Sequence, residues 1–350
     1  MSKTKIKENK AKDITTFERI EKLLSKNFGE ESIKRMSDLE DVPFISSGSL
    51  QLDIALKMPF TPGVHMIYGG YGAGKTTLAL EGLSAAQQSN HYDVCMYENV
   101  ERRLNKSQVA MIQNLEADGV LMVNPDTAED AGDMLVETLR CLGKKERLYA
   151  VVDSVAAMEP EVIGQKSFKE ATMGLDAKII TTMLRKVSKL AADTGSVIIF
   201  INQTRQDFRA KYGNKVKVPG GDALWFYPIQ VVYLSVSSQP PYGKRLDKAG
   251  NIIGRVIRAE IQKNTWARPF FSVPLPLYFG KGIDTAYEIT QLLLSWGLAE
   301  QKASWIIIPA SDEIKEEIKV QGIEQLAELI REDKELMKKL KKVITDTLPA

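Results

Sequence analysis

The sequence is poor in the two residue types that build many catalytic and metal centres. Its 350 residues include two histidines, His65 and His91, and two cysteines, Cys95 and Cys141. Two histidines leave almost no room for a histidine-based metal centre or a Ser-His-Asp site. Both cysteines lie in apolar segments, which predicts buried thiols in a reducing compartment rather than a disulfide framework.

The sequence also lacks long hydrophobic runs and a strong charge of either sign. No apolar run reaches the roughly 20 residues of a membrane span, and the first residues lack the apolar core of a signal peptide. We therefore expect a cytoplasmic protein with no membrane partner. The formal net charge is +2, so any nucleic-acid binding has to depend on local basic patches.

A glycine-rich stretch between an apolar run and a segment of helical spacing is the most informative feature of the chain. It matches the full G-x-x-x-x-G-K-[ST] pattern in a strand–loop–helix context. The glycines let successive backbone N–H groups face phosphate oxygens, the lysine reaches the β- and γ-phosphates, and the first threonine can ligate Mg²⁺. The sequence therefore predicts ATP and Mg²⁺ as cofactors. The predicted ATP-binding residues of this loop are Gly69, Gly70, Tyr71, Gly72, Ala73, Gly74, Lys75, Thr76 and Thr77.

Polar residues at the ends of three later apolar strands complete the predicted site. Asp153 ends the strand Tyr149–Val152, where it can hold Mg²⁺ together with Thr76. Glu98 and Glu101 follow another strand, and either one could orient the attacking water or be an exposed residue at a helix start. Gln203 ends a further strand, where its amide can bond the γ-phosphate or simply satisfy a turn.

The order of elements predicts an α/β fold. Apolar strands alternate with helical segments from residue 64 to residue 201, which is typical of a mostly parallel sheet with helices on both faces. Helical spacing is also present at 14–28, 104–115, 128–142 and 175–192. The helix at 14–28 is amphipathic, and it packs either on its own core or on a neighbouring subunit. Beyond residue 228 the pattern predicts hairpin-like strands, and from about 285 it is again mainly helical.

Several stretches together resemble the bacterial and phage RecA family of recombinases over nearly the whole chain. They are residues 46–56, the P-loop, 151–157 (VVDSVAA), 173–175, 200–205 (FINQTR), 220–227 (GGDALWFY), 263–264 and 269–270. The resemblance implies a RecA-like P-loop ATPase core at 37–282, an N-terminal arm and oligomerisation helix at 1–36, and a small C-terminal α/β domain at 283–350. It also implies a DNA-dependent ATPase that forms helical filaments on single-stranded DNA and exchanges strands with homologous duplex DNA, with mediator or loader proteins as possible partners and roles in DNA repair and the SOS response.

The same resemblance implies two DNA-binding loops near 160–173 and 204–220. The second loop mixes basic and aromatic residues, which suit phosphates and bases. The implied DNA-binding residues are Met173, Lys178, Arg185, Arg205, Phe208, Arg209, Lys211, Tyr212, Lys215, Lys217, Gly220 and Gly221. The resemblance assigns Lys75, Gln203, Glu101 and Glu98 to the catalytic site, and it has Lys263 reach the γ-phosphate across a subunit interface.

Some positions depart from the family pattern. Thr265 stands where a second interface lysine is usual, and Arg268 is a candidate replacement. The segment around the expected catalytic glutamate carries one extra residue, which favours Glu101 as that glutamate. Gln108 replaces an aromatic residue that would stack on adenine. Two alternatives stay open: a hexameric helicase with the same core, and a filament protein that hydrolyses little ATP and has a structural or regulatory role.

Overall fold

The computed structural model describes residues 15–164, 175–206, 216–239, 241–247 and 249–348, with residues 31, 163–164, 205–206 and 216–217 described by their backbone alone. The chain divides into two compact units, residues 1–42 and 43–350. The expected boundaries after residues 36 and 282 stay predictions.

The first unit is built on one amphipathic helix. It begins after Thr15, whose hydroxyl accepts from the Glu18 backbone while the Glu18 carboxylate accepts from the Thr15 backbone. This reciprocal cap satisfies two of the helix's unpaired N–H groups. The helix has no buried residue, and apolar side chains such as Phe17 and Phe28 are exposed.

The helices agree with the predicted segments in most cases. Within the described residues none of them is both long enough and apolar enough to span a bilayer. They are α1 (Thr16–Phe28), α2 (Leu50–Leu56), α3 (Lys75–Ser89), α4 (Lys106–Val109), α5 (Ala128–Cys141), α6 (Glu161–Gly164), α7 (Leu175–Thr194), α8 (Ala223–Phe226), α9 (Thr285–Ser295), α10 (Ile323–Glu332) and α11 (Lys334–Asp346).

The strands of the described residues form one large sheet, a small C-terminal sheet and a short ribbon. They are β1 (Gly63–Gly69), β2 (Val94–Asn99), β3 (Val120–Val123), β4 (Leu148–Asp153), β5 (Val197–Gln203), β6 (Arg205–Gln206), β7 (Val216–Lys217), β8 (Gln230–Ser235), β9 (Gly243–Leu246), β10 (Ile252–Asn264), β11 (Phe271–Tyr278), β12 (Gly282–Ile283), β13 (Glu300–Lys302), β14 (Trp305–Ile308) and β15 (Ile318–Gln321).

The large sheet has the order β12-β11-β10-β8-β1-β5-β4-β2-β3, with β9 paired to β10. The pairs from β8 through β1, β5, β4 and β2 to β3 are parallel, whereas β8–β10 and the pairs beyond it are antiparallel. Gly69 pairs with Gln203, and Asn99 pairs with Asp153. The carboxyl ends of β1, β2, β4 and β5 therefore meet at one edge, where open α/β sheets bind ligands. The predicted fold class is confirmed.

Alternation along the buried strands creates two core layers. In β2 the Tyr97 side chain packs in the layer that contains α3, whereas Met96 packs in the layer that contains α5 and α7. Ile199 and Ile198 of β5 divide in the same way. Fully burying an aliphatic side chain contributes about 1.5–3 kcal/mol, so covering both faces of these strands stabilises the sheet.

The C-terminal residues contain a separate hydrophobic cluster. It is formed by α9, α10, α11 and the antiparallel sheet β13-β14-β15. Within it Ile289, Leu326 and Leu340 are completely buried. These elements form the small C-terminal region that the sequence predicts.

Two details of the sequence prediction are wrong. Cys141 is exposed at the end of α5, although Cys95 is buried as expected. The segment 104–115 forms only the single helical turn α4 instead of a helix along its length. Beyond α4 the backbone N–H groups of Met111 and Ile112 donate to carbonyls three residues back, those of Gln108 and Val109, which is a turn pattern. Ile112 is buried in the core, so packing has overridden the helical spacing.

Candidate nucleoside triphosphate site

A cavity of about 440 Å³ opens at the carboxyl edge of the sheet, beside the P-loop. We call it the P-loop cavity. Residues 71–77 line one side, and Glu101, Asp153 and Gln203 line its polar end. Leu104, Met111 and Ile112 contribute apolar surface. The volume is within the usual range for small-molecule sites, about 300–1,000 Å³.

The P-loop leaves the start of α3 open to a ligand. Gly74 precedes the helix with φ +78° and gives it no side-chain cap. The positive φ favours glycine, and a side chain at this position would also have its Cβ 2.6 Å from Leu277 Cδ1, so Leu277 would have to move. The first N–H groups of α3 therefore lack a side-chain acceptor, which suits an anion.

Lys75 and Thr76 are held by partners that a nucleotide and its metal ion could replace. Lys75 Nζ donates to the Gly70 carbonyl at 2.8 Å, and burial lowers the pKa of Lys75 against the opposing charges of Asp153 and Glu101. Thr76 Oγ1 donates to Asp153 Oδ2 at 2.8 Å. A hydroxyl and a carboxylate oxygen in contact are the donor set that Mg²⁺ prefers beside a P-loop.

Tyr97 is a site residue that the sequence reasoning missed. Its hydroxyl donates to Asp153 Oδ2 at 2.7 Å, so two hydroxyls fix the same carboxylate oxygen. Burial raises the pKa of Asp153, and the two hydroxyl donors oppose that rise. The alternation of β2 could have revealed Tyr97, because it faces the same side of the sheet as the end of β4.

The two candidate glutamates lie in different places. Glu101 Oε1 accepts from Ser154 Oγ at 2.6 Å and from the Gln203 amide, and its Oε2 lies 3.3 Å from Arg103 Nη1. Glu98 is fully buried, and neither of its carboxylate oxygens has a hydrogen-bond partner among the described residues. Burial raises the pKa of Glu98 well above its ordinary value. The structure therefore brings Glu101 to the P-loop cavity, and Glu98 is absent from the described residues that line it.

Of the other residues singled out in the sequence, Lys263 and Gln108 have other partners. Lys263 Nζ donates to the carbonyls of Trp225 and Phe226, at 3.0 and 2.8 Å, and it does not belong to the described lining of the P-loop cavity. Gln108 lines the cavity and caps α4 with Asn105. Thr265 Oγ1 donates to the Ile229 carbonyl at 3.0 Å, and Arg268 is exposed.

Only part of the predicted DNA-binding set can be located. Lys178 and Arg185 are exposed on α7. Gly220 and Gly221 have φ +102° and +81° and lie against α8 and α7, so both positions favour glycine. The backbone of β6 and β7 contains Arg205 and Lys217. The remaining members of the set lie outside the described residues: Met173, Phe208, Arg209, Lys211, Tyr212 and Lys215.

The comparison with known families decides the relationship. The model of the RecA N-terminal domain matches residues 15–284, which include the P-loop and every element around the cavity. The chain belongs to the RecA family. RecA proteins similar to it include that of Thermus thermophilus, 32% identical over 91% of this chain and 90% of the relative, and that of Thermus aquaticus, 31% identical over 96% and 94%.

A solved structure agrees on the fold of this RecA-family chain. The crystal structure of the RadB recombinase superimposes with a TM-score of 0.50 at 20% sequence identity, covering 68% of this chain and 97% of the other. At that identity the likeness concerns the fold. The family match and the similar RecA proteins confirm the RecA resemblance proposed from the sequence motifs.

Proposed function

We propose that this RecA-family chain is an ATP-dependent DNA recombinase that binds ATP in the P-loop cavity. Lys75 and the open start of α3 would hold the phosphates, while Thr76 and Asp153 would hold Mg²⁺. The metal ion would neutralise charge on the phosphate oxygens. The apolar side chains of Leu104, Met111 and Ile112 offer a surface for the base.

In this proposal Glu101 orients the attacking water. Ser154 and Gln203 both donate to Glu101 Oε1, which fixes the carboxylate at the polar end of the cavity. A carboxylate held in one orientation is the geometry that general-base catalysis needs. Glu98 has no catalytic role in this proposal, because it is fully buried and is absent from the described lining of the P-loop cavity.

Gln203 would carry the state of the nucleotide to the DNA-binding surface. It contacts Glu101 on one side, and β6 begins two residues later in the chain. β6 pairs with β7, and this ribbon lies within the predicted second DNA-binding loop, 204–220. A ligand shifts such a segment only if it binds the two arrangements with different affinity. ATP binding would favour the arrangement with high affinity for single-stranded DNA.

Filament formation is the remaining part of the proposal. The exposed apolar face of α1, with Phe17 and Phe28, supports docking on a neighbouring subunit because such a face gains by burial. Lys263 and Arg268 would then act across the interface between subunits. Lys178 and Arg185, exposed on α7, would contact the DNA backbone. Homologous duplex DNA would be the second substrate, and mediator proteins and a cytoplasmic location follow from the family expectation.

The observation that carries the proposal is the hydrogen-bonded set Thr76–Asp153 and Ser154–Glu101–Gln203 at one edge of the sheet. The test is the formation of joint molecules between circular single-stranded DNA and a homologous linear duplex, with negative-stain imaging of the same samples. ATP-dependent joint molecules on filaments are the expected result. Closed rings without joint molecules would contradict the proposal and favour a helicase.

A turnover-poor filament protein is the second candidate, and one contact favours it. Arg103 Nη1 lies 3.3 Å from Glu101 Oε2, so a guanidinium already occupies an oxygen that the attacking water would have to donate to. Filaments that bind ATP but neither hydrolyse it nor exchange strands would support this candidate.

A further inference from the structure

Arg103 is a second cation at the polar end of the P-loop cavity. It lines the cavity with its side chain 72% exposed, and its Nη1 lies 3.3 Å from Glu101 Oε2. Its backbone N–H donates to Asn99 Oδ1 at 3.1 Å, so the base of the side chain is anchored at the end of β2. The backbone of Arg103 is therefore fixed beside the site, while its side chain remains mostly exposed to solvent.

The net charge of the residues that line the cavity depends on Arg103. The charged side chains among the described lining residues are Lys75, Arg103, Glu101 and Asp153, which sum to zero. Without Arg103 the lining would carry one net negative charge, which opposes a triphosphate. Arg103 therefore has an electrostatic effect on an anionic ligand that no other exposed lining residue can replace within the described chain.

Glu101 can release Arg103 without losing all of its partners. Its Oε1 accepts from Ser154 and Gln203, and only Oε2 faces Arg103. A guanidinium has five N–H donors in a planar fork, so it can turn from a carboxylate to a phosphate oxygen. Arg103 therefore contacts Glu101 in this structure, and it could exchange this contact for one with a terminal phosphate bound in the cavity.

The neighbouring arginine has a different environment. Arg102 forms an ion pair with the exposed Asp126, and it does not belong to the described lining of the cavity. Its backbone is left-handed, with φ +54°. Two adjacent arginines therefore diverge, and only Arg103 is directed to the site. This pair offers a matched control.

We propose that Arg103 contacts the terminal phosphate of the nucleotide bound to its own subunit and thereby acts as a catalytic residue in cis. The inference rests on the proposed function, because it requires a triphosphate in the P-loop cavity. An arginine in this position stabilises negative charge on the phosphoryl group during transfer. Its departure from Oε2 also frees Glu101 to orient water.

Nucleotide binding tests the proposal independently of turnover. The variants are Arg103→Ala, Arg103→Lys and the control Arg102→Ala, and the ligands are ATPγS and ADP, measured by equilibrium titration. Arg103→Ala should bind ATPγS about tenfold more weakly, whereas its ADP affinity stays within about twofold of the original. Arg103→Lys should recover part of the loss, and Arg102→Ala should match the unaltered chain. Turnover by Arg103→Ala should fall by about tenfold or more.

Two results would overturn the proposal. One is an unchanged ratio of ATPγS to ADP affinity in Arg103→Ala. The other is faster turnover with unchanged affinity, because Arg103 would then only mask Glu101. If the unaltered chain binds no nucleotide, this inference and the proposed function fail together. If it binds nucleotide but has no DNA-stimulated activity, the proposed function fails alone and the affinity ratio still decides the role of Arg103.

Discussion

Arg245 of β9 is the centre of a buried charge cluster, and its contacts set how much stability the protein should lose when Arg245 is replaced. The Arg245 side chain is 2% exposed and that of Asp284 3%. Arg245 Nη2 lies 2.9 Å from Asp284 Oδ2 and 2.8 Å from Glu324 Oε2, and the guanidinium lies 4.0 Å from the centre of the Tyr287 ring. Arg245 thus ties the edge of the large sheet to α9 and α10.

The change Arg245→Leu should destabilise the protein strongly. It leaves Asp284 buried with Arg331 as its remaining cation, at 2.8 Å. Removing one partner of a buried ion pair costs about 3–5 kcal/mol. Arg245 Nη1 is buried and has no partner among the described residues, which already reduces the net value of the cluster. We therefore expect a loss of about 3 kcal/mol in the free energy of unfolding, at the lower end of the range.

Urea denaturation followed by tryptophan fluorescence measures this loss. The control is Arg331→Leu, since Arg331 is 25% exposed and its removal leaves the contact between Arg245 and Asp284 intact. It should cost no more than about 1 kcal/mol. A cost of less than about 1 kcal/mol for Arg245→Leu, or equal losses in the two variants, would show that Arg245 is not the main partner of the buried Asp284.

Two further predictions concern Gln203 and Glu288. Gln203→Ala should preserve ATP binding but remove the dependence of single-stranded DNA affinity on ATP, measured by fluorescence anisotropy; a full ATP response would contradict the relay. Burial raises the pKa of Glu288 from 4.5 to about 8, although Ser49 and the Leu50 backbone donate to it. The folded state therefore keeps a proton that the unfolded state loses, so this contribution to stability is complete below about pH 4.5 and is lost as pH rises towards 8. Urea denaturation of Glu288→Gln should show a smaller fall in stability across that window, and equal slopes would show that Glu288 does not titrate there.

The sequence predicted the fold well where pattern and packing agree. The P-loop, Asp153 and Gln203 each end or follow a continuous apolar strand, and the parallel order of those strands places their ends together. Continuous apolar runs of this length are typical of parallel strands buried on both faces. The predicted α7 likewise agrees, since its apolar side is covered by α5 and the sheet.

The prediction failed where short-range spacing competes with tertiary contacts. Residues 104–115 have helical spacing, but Ile112 is buried in the core and the chain leaves the helix after α4. The strand pattern alone left both Glu98 and Glu101 as candidates, and only the family resemblance favoured Glu101. Alternation in β2 separates them, because Glu98 lies on the opposite face from Tyr97, and Tyr97 is the residue that contacts Asp153.

Contacts between distant parts of the chain were beyond sequence reasoning. No spacing rule indicates that Ser154 and Gln203 share one oxygen of Glu101, or that Arg103 pairs with the other. These contacts depend on the conformation of the loop after β2. They are the basis of both proposals made for this RecA-family chain.

ATP hydrolysis, measured with and without single-stranded DNA for the unaltered chain and for Lys75→Ala, shows most directly whether this chain is a DNA-dependent ATPase. Lys75 is mostly buried, and its amine donates to the Gly70 carbonyl of the P-loop, a partner that the β- and γ-phosphates would replace. We predict turnover that single-stranded DNA stimulates strongly and that Lys75→Ala abolishes. An ATP hydrolysis rate that does not change with single-stranded DNA, or that persists in Lys75→Ala, would contradict this prediction.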